Sequence, residues 1–369
     1  MQQSFKQSLS YGLCITCSRT ETTNDFIEKE TKTMMNNNFN NGATNNNNNS
    51  NNGGKFIMTN GTIRTMEAFA GTVKTAMEAY YGDEYKVQVN TVVKNNDLHL
   101  TGLTILSKGS NIAPTIYLEN YYQMYKEGET MADVCQLIIR VYEEHKMNVD
   151  FDVASITDLG KVRDRICYKL INAEHNQELL EDTPYVRFHD LALIFYIVVS
   201  REEEEFGTVT VKNNLMQMWN VSVEKLLRMA IVNTQRMFRG KVESMFNVMT
   251  ELLVDKLDEE CANEFFDIIA DAEDEVPMYV CSNTSKINGA GVILYDGLLK
   301  EFADRVDNNF YILPSSIHET LFIPDTGDMD VNYLKQMVRD VNTTQVAPDE
   351  ILSDNVYYYD RLTDRVEMA

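Results

Sequence analysis

The nine residues 191–199, LALIFYIVV, carry no polar group except one tyrosine hydroxyl. A membrane helix needs roughly 18 apolar residues or more, so the run is strand-sized. A strand that is apolar on both faces must be covered on both faces, which places it at the centre of a sheet with packed layers above and below. With 44% hydrophobic residues, including 16 Phe, 19 Tyr and 19 Met, the 369-residue chain has the material for those layers. Its length fits one large or two modest domains.

Around this strand the pattern alternates between elements. The acidic stretch REEEE and Gly207 turn the chain into TVTVKN, an expected antiparallel neighbour. Upstream, residues 63–81 place Ile63, Met66, Phe69, Ala70, Val73, Met77 and Tyr80 on one helical face. YKVQVNTVV then alternates as a half-buried strand, and the turn residues Lys94, Asn95, Asn96 and Asp97 return LHLTGLTIL antiparallel to it. The apolar phase slips at Gly102, which predicts a bulge there. Pro114 confines the next strand to an edge, and Thr130 can cap a following helix. A helix is expected near 155–172, another begins at Ser222, and two more are expected over 241–257 and 259–272. MYVCSN and GVIL read as strands, GLLKEFADRV and VNYLKQMVRDVN as helices, and VYYYDRLTDRVEMA as a closing hairpin.

These elements predict an α+β fold of mixed, largely antiparallel sheets with several covering helices. An N-terminal α+β module is expected over residues 59–148 and a C-terminal α+β domain over 149–369. Residues 1–58 read as a disordered tail. Its segment 36–52 is mostly Asn with Gly, Ser and Thr, too polar to offset chain entropy by burial. An alternative is that translation starts at Met34, Met35 or Met58. Cys14 and Cys17 form a lone CxxC with no second ligand pair nearby, so no metal site is predicted. Cys135, Cys167, Cys261 and Cys281 stand singly among apolar neighbours, as reduced thiols of a cytoplasmic protein do.

The net charge is −23, and residues 255–275 alone hold ten Asp or Glu against one Lys. Such a chain repels nucleic acid and anionic lipid. The expected partner is therefore a protein, with neither nucleic acid nor membrane. A minor alternative is an acidic mimic of DNA.

The polar cluster that most invites chemistry lies within FYILPSSIHETLFIPD, residues 310–325. Ser315, Ser316, His318 and Glu319 could supply a nucleophile, a base and an acid. On a strand, however, Ser316 and His318 would stand about 6–7 Å apart, too far for a direct Ser–His hydrogen bond. On a helix, S-I-H-E matches a capping box, in which the side chains serve backbone amides. Arg187, His189 and Asp190 at the mouth of the apolar strand are candidates for a binding pocket or for an ion pair. Asn233, Asn283 and Asp354 are distant residues that could complete a hydrolytic site. No zincin HExxH, EF-hand loop, Walker loop or dinucleotide fingerprint is complete, and no cofactor is predicted. NTSKINGAG holds only a lone G-x-G.

The segments NTSKINGAGVILYDGLLKEFAD, FYILPSSIHE and MVRDVNTTQVAPDEILSDNVYYYDR, with MAIVNTQRMF and VNTVVKNNDLHLTGLTI, resemble an uncharacterised clostridial family, domain of unknown function 5688. The resemblance runs from about Thr59 to Ala369. It implies a cytoplasmic bacterial protein and carries no activity with it. The residues themselves point to a non-catalytic interaction or accessory module, with a hydrolase built on Ser316, His318 and Glu319 as the alternative.

Overall fold

Thr65 starts the first helix by accepting the Ala68 amide on its hydroxyl, and α1, Met66–Tyr81, runs from there to Gly82. The structure, a computed structural model, describes residues 11–12, 15–18, 63–110, 113–146, 153–202, 205–253 and 277–369. Two short strands, β1 (Tyr11–Gly12) and β2 (Ile15–Ser18), precede α1. The Asn-rich segment and Cys14 lie outside the described residues. Phe69, Ala70, Val73 and Met77 are buried on one face of α1, whereas Tyr80 is 62% exposed. The inward aromatic at that end is Tyr81, whose ring meets those of Tyr85 and Tyr142.

β3 (Tyr85–Val93) and β4 (His99–Ser107) pair antiparallel without interruption, with Asn90 opposite Gly102. The bulge expected at Gly102 is absent. A Cβ there would lie 2.6 Å from the Thr115 methyl and 2.9 Å from a Val92 methyl. Glycine is needed for the close approach of β5 (Thr115–Tyr117), which follows Pro114 and forms the sheet edge as expected. Helices α2 (Glu119–Glu127) and α3 (Met131–His145), the latter capped by Thr130, close a core of Phe69, Leu103, Ile105, Ile138 and Val141.

The helix expected over 155–172 breaks up. α4 (Val153–Thr157) and α5 (Leu159–Val162) are short, and β6, Ile166–Asn172, pairs along its whole length with the apolar strand. A short run apolar on both faces fits a buried strand or a buried helix equally well, and here pairing decides. α6 (Gln177–Glu181) leads to β7 (Tyr185–Phe188), which turns through His189 and Asp190 into β8, Leu191–Glu202. Leu191 to Val198 are all buried, with β6 on one edge of β8 and β7 and β9 (Glu205–Thr210) on the other. β2 and β1 extend the sheet beyond β9. The apolar run is thus the central strand its composition predicts.

α7 (Asn213–Met218) and α8 (Val223–Met237) come next, α8 capped by Ser222. Residues expected to begin a helix at 241 instead form β10, Gly240–Ser244, and α9 covers Met245–Leu253. The helix expected over 259–272, and Cys261, lie outside the described residues. β11 (Tyr279–Asn283) is the predicted strand, but GVIL belongs to a 3₁₀ turn over Gly289–Leu294. Gly291 lies there against the Tyr168 ring, whose hydroxyl donates to the Gly291 carbonyl at 2.9 Å. α10 (Leu298–Val306), β12 (Phe310–Leu313), β13 (Thr320–Pro324), α11 (Val331–Thr344), β14 (Tyr357–Asp360) and β15 (Arg365–Met368) complete the chain. A second six-stranded sheet has the order β10-β11-β13-β12-β14-β15. Tyr168, Leu193 and Phe195 of the first sheet share one core with Phe302, Phe310, Phe322 and Tyr357 around the second. The fold is α+β, and every strand pair among the described residues is antiparallel. Among those residues no helix is long and apolar enough to cross a membrane, and Cys135, Cys167 and Cys281 are buried free thiols.

Candidate functional site

Two turns that are far apart in sequence converge on the loop 346–352. The first joins β12 to β13 and contains Ser315, Ser316, His318 and Glu319. No helix forms here, so the capping box expected at Ser316 is absent as such, but the same hydrogen-bonding logic stabilises a turn. The Ser316 hydroxyl accepts the His318 amide at 3.0 Å, and the Ser316 amide donates to the Glu319 carbonyl at 3.1 Å. The imidazole faces elsewhere. Its Nδ1 accepts the Asn288 amide at 3.2 Å, and its Nε2 lies 3.6 Å from Glu350 Oε1. A backbone N–H can donate only to a lone pair, so the proton sits on Nε2, toward the carboxylate.

The second turn is Lys94–Asp97 between β3 and β4, with Asn96 at φ 61° and Asp97 at φ 46° in the left-handed region that asparagine and aspartate tolerate. It docks by hydrogen bonds that span long stretches of chain. Asn95 Nδ2 donates to the Asp349 carbonyl at 2.9 Å. Asn96 Nδ2 donates to the carbonyls of Pro348 and Ile351, each at 2.8 Å, and the Asn96 amide donates to Asn176 Oδ1 at 2.8 Å. The Asp97 carboxylate accepts the amides of Glu178 and Leu179 at the start of α6. Asn96→Ala is therefore expected to cost about 2–3 kcal/mol, from lost hydrogen bonds and left-handed strain. Asn96→Gly keeps the backbone conformation and should cost less. Urea unfolding of the two variants separates these contributions; equal losses would remove the strain component.

Between the turns lies an ionic seam. Lys94 Nζ sits 4.7 Å from the centroid of the Tyr117 ring. Burial holds the pKa of its ammonium down to about 8, with Lys169 pushing the same way and Asp349 opposing. Burial also lowers the pKa of Lys169 on β6. The Asp349 carboxyl is raised by burial and by neighbouring Glu350, while Lys94 and His318 hold it back. Glu319 is raised for the same first reason, against His318 and Lys286. Among the described residues no group of three or more His, Cys, Asp or Glu side chains could hold a metal ion.

The other sequence candidates sit in separate places. Arg187 donates to the His189 carbonyl at 2.8 Å and pairs with exposed Glu174. His189 Nε2 lies 3.0 Å from the Val366 carbonyl oxygen. Asp190 is buried and accepts three neutral donors, from Ser353 at 2.6 Å, Asn355 at 3.0 Å and Tyr357 at 2.7 Å. Asn233 donates to the carbonyls of Arg163 and Ile166. Asn283 closes its own loop through Ile287 and Ser285, next to the His318 turn. Asp354 accepts from Asn342. Lys94, Lys169, Asp349 and Glu350 escaped the sequence reading. The one signal is Lys169, a charge inside the apolar stretch ICYKLIN, and it loses its force where the periodicity of that stretch predicts a helix.

A protein-family model described as a family of unknown function (DUF5688) matches residues 66–361. No curated protein and no solved structure matches the chain.

Proposed function

Because the chain belongs to the DUF5688 family of unknown function, we propose its role from its own residues: a non-catalytic interaction or accessory module of the cytoplasm whose partner is a protein. One observation carries the reading. In the Ser316–Glu319 turn, Ser316 Oγ accepts the His318 amide and His318 Nδ1 accepts the Asn288 amide, so the candidate nucleophile and one nitrogen of the candidate base are engaged with backbone. Buried free thiols at Cys135, Cys167 and Cys281 support a reducing compartment. The net charge of −23 supports a protein partner over a nucleic acid.

The test combines two measurements on the full chain. Ester, peptide, phosphoester and glycoside substrates should show no turnover above buffer. Reciprocal affinity capture should recover one protein at fixed stoichiometry, unaffected by nuclease. Turnover that disappears in His318→Gln while the melting temperature holds would replace the reading with the hydrolase built on Ser316, His318 and Glu319.

A further inference from the structure

Against the acidity of the whole chain, one face is locally basic. On α8, the exposed residues opposite buried Leu226, Ala230, Asn233 and Thr234 are Glu224, at one margin, and the four residues Lys225, Arg228, Val232 and Arg236. At 100° per residue these four fall within one arc of the helix. The segment 161–165 flanks the same arc. Arg236 Nη2 donates to the Asp164 carbonyl at 2.5 Å, and Asn233 Nδ2 donates to the Arg163 carbonyl at 2.8 Å. Arg165 in turn reaches the Lys161 carbonyl at 3.3 Å. Lys161, Arg163, Arg165, Lys225, Arg228 and Arg236 therefore form one surface, and only Asp158, Asp164 and Glu224 oppose them within these two segments. These carboxylates offset part of the charge: Asp164 pairs with Arg163 at 3.3 Å, Glu224 bonds to Ser222 and interacts with Arg228, and Asp158 accepts the Gly160 amide, so the six cations keep an excess of three positive charges. Val232 stands in the middle of the cationic row, 65% exposed.

We propose that this arginine-rich face is a docking surface for an acidic patch on a different folded protein, an inference that rests on the interaction-module reading and names its surface. Arginine around an exposed apolar residue is the composition of a protein interface. Charge complementarity sets the sign of the partner. Screening over about 8 Å at physiological salt lets the local excess act on a compact acidic patch. A nucleic acid would extend beyond the patch and meet the acidic remainder of the chain. Two copies joined symmetrically through this face would set cation against cation.

The probe is a fluorescent 20-residue polyglutamate, read by anisotropy against a single-stranded oligonucleotide of equal charge. Wild-type chain should bind polyglutamate more tightly than the oligonucleotide, and the affinity should fall at least tenfold between 50 and 200 mM salt. Lys225→Glu/Arg228→Glu should lose at least tenfold more. Among the described residues these two side chains make no hydrogen bond that the fold depends on, and circular dichroism checks that the variant is folded. Should it unfold, Lys225→Gln/Arg228→Gln replaces it, with a smaller loss expected. The proposal is overturned if polyglutamate does not bind, if the variants bind it equally, if the oligonucleotide binds tighter, or if sedimentation shows self-association that the charge reversal abolishes. Failure of polyglutamate binding leaves the capture and turnover tests intact, so the surface and the module reading fail separately.

Discussion

Gly289→Ala is expected to destabilise the protein by about 3 kcal/mol, the upper part of the usual range for overpacking. A Cβ at this position would lie 2.1 Å from Ser282 Oγ, 2.3 Å from the His318 carbonyl oxygen and 2.9 Å from the Asn283 amide nitrogen. Two of those three atoms are backbone and cannot swing aside as a side-chain tip can. The third is engaged with the second, because the Ser282 hydroxyl donates to the His318 carbonyl at 2.7 Å. The methyl group must therefore part β11 from the Ser316–Glu319 turn, and with it the Asn288–His318 hydrogen bond. The melting temperature should fall by roughly 4–5 °C for a chain of this size. The imidazole ¹⁵N shifts should report the loss of a fixed tautomer. Gly71→Ala provides a control of opposite sign. Gly71 lies inside α1 with nothing within 4 Å of an added Cβ, so alanine should stabilise by up to about 1 kcal/mol. If urea unfolding finds both variants within about 0.5 kcal/mol of wild type, the close packing around Gly289 is not what holds this turn.

The lone G-x-G of NTSKINGAG shows how far the sequence could be read. As a pattern it is an incomplete phosphate-binding fingerprint or a glycine-bearing loop between strands, and the residues around it do not say what packs on the two glycines. The structure answers with Ser282 and His318 at Gly289 and with the Tyr168 ring at Gly291. The same limit applies at Gly102, where a phase slip suggested a bulge and a Thr115 methyl supplies the reason instead. Elements whose pattern is local were legible: the apolar run of β8, the face of α1, the Thr130 and Ser222 caps, and the Lys94–Asp97 turn. Elements decided by partners were not. Ile166–Asn172 is a strand because β8 lies beside it, and 291–294 is a 3₁₀ turn because Tyr168 packs on it. The ionic seam was invisible for the same reason. Its members stand at positions 94, 169, 319, 349 and 350, and no spacing relates them until two turns meet over one loop.

That seam carries the second large effect, which emerges only as a function of pH. The pKa of the Lys94 ammonium is held down to about 8, from an ordinary value of 10.5, chiefly by burial; the charge of Asp349 and, more weakly, of Glu350 opposes this and that of Lys169 adds to it. Below pH 8 the side chain is charged in both folded and unfolded states, and the cost of burying that charge is fully present. Between pH 8 and 10.5 the folded protein sheds the proton while the unfolded chain keeps it. The unfolded state then binds more protons, so stability rises with pH across this window. The full difference corresponds to roughly 3 kcal/mol. Wild type should therefore gain on Lys94→Met by up to that amount between pH 8 and 10.5, with the gap flat just below pH 8. The acid side runs the other way. Asp349 is raised by burial and held back by Lys94. Without the ammonium its carboxyl rises further, and Lys94→Met should lose stability to higher pH than wild type as that group ionises in the unfolded chain first. Urea unfolding of wild type, Lys94→Met and the exposed reference Lys74→Met at pH 5, 7, 9 and 10.5 measures both limbs. If the curves of wild type and Lys94→Met run parallel from pH 8 to 10.5, Lys94 is hydrated in the folded protein and the β3–β4 turn is held by the hydrogen bonds of Asn95, Asn96 and Asp97 alone.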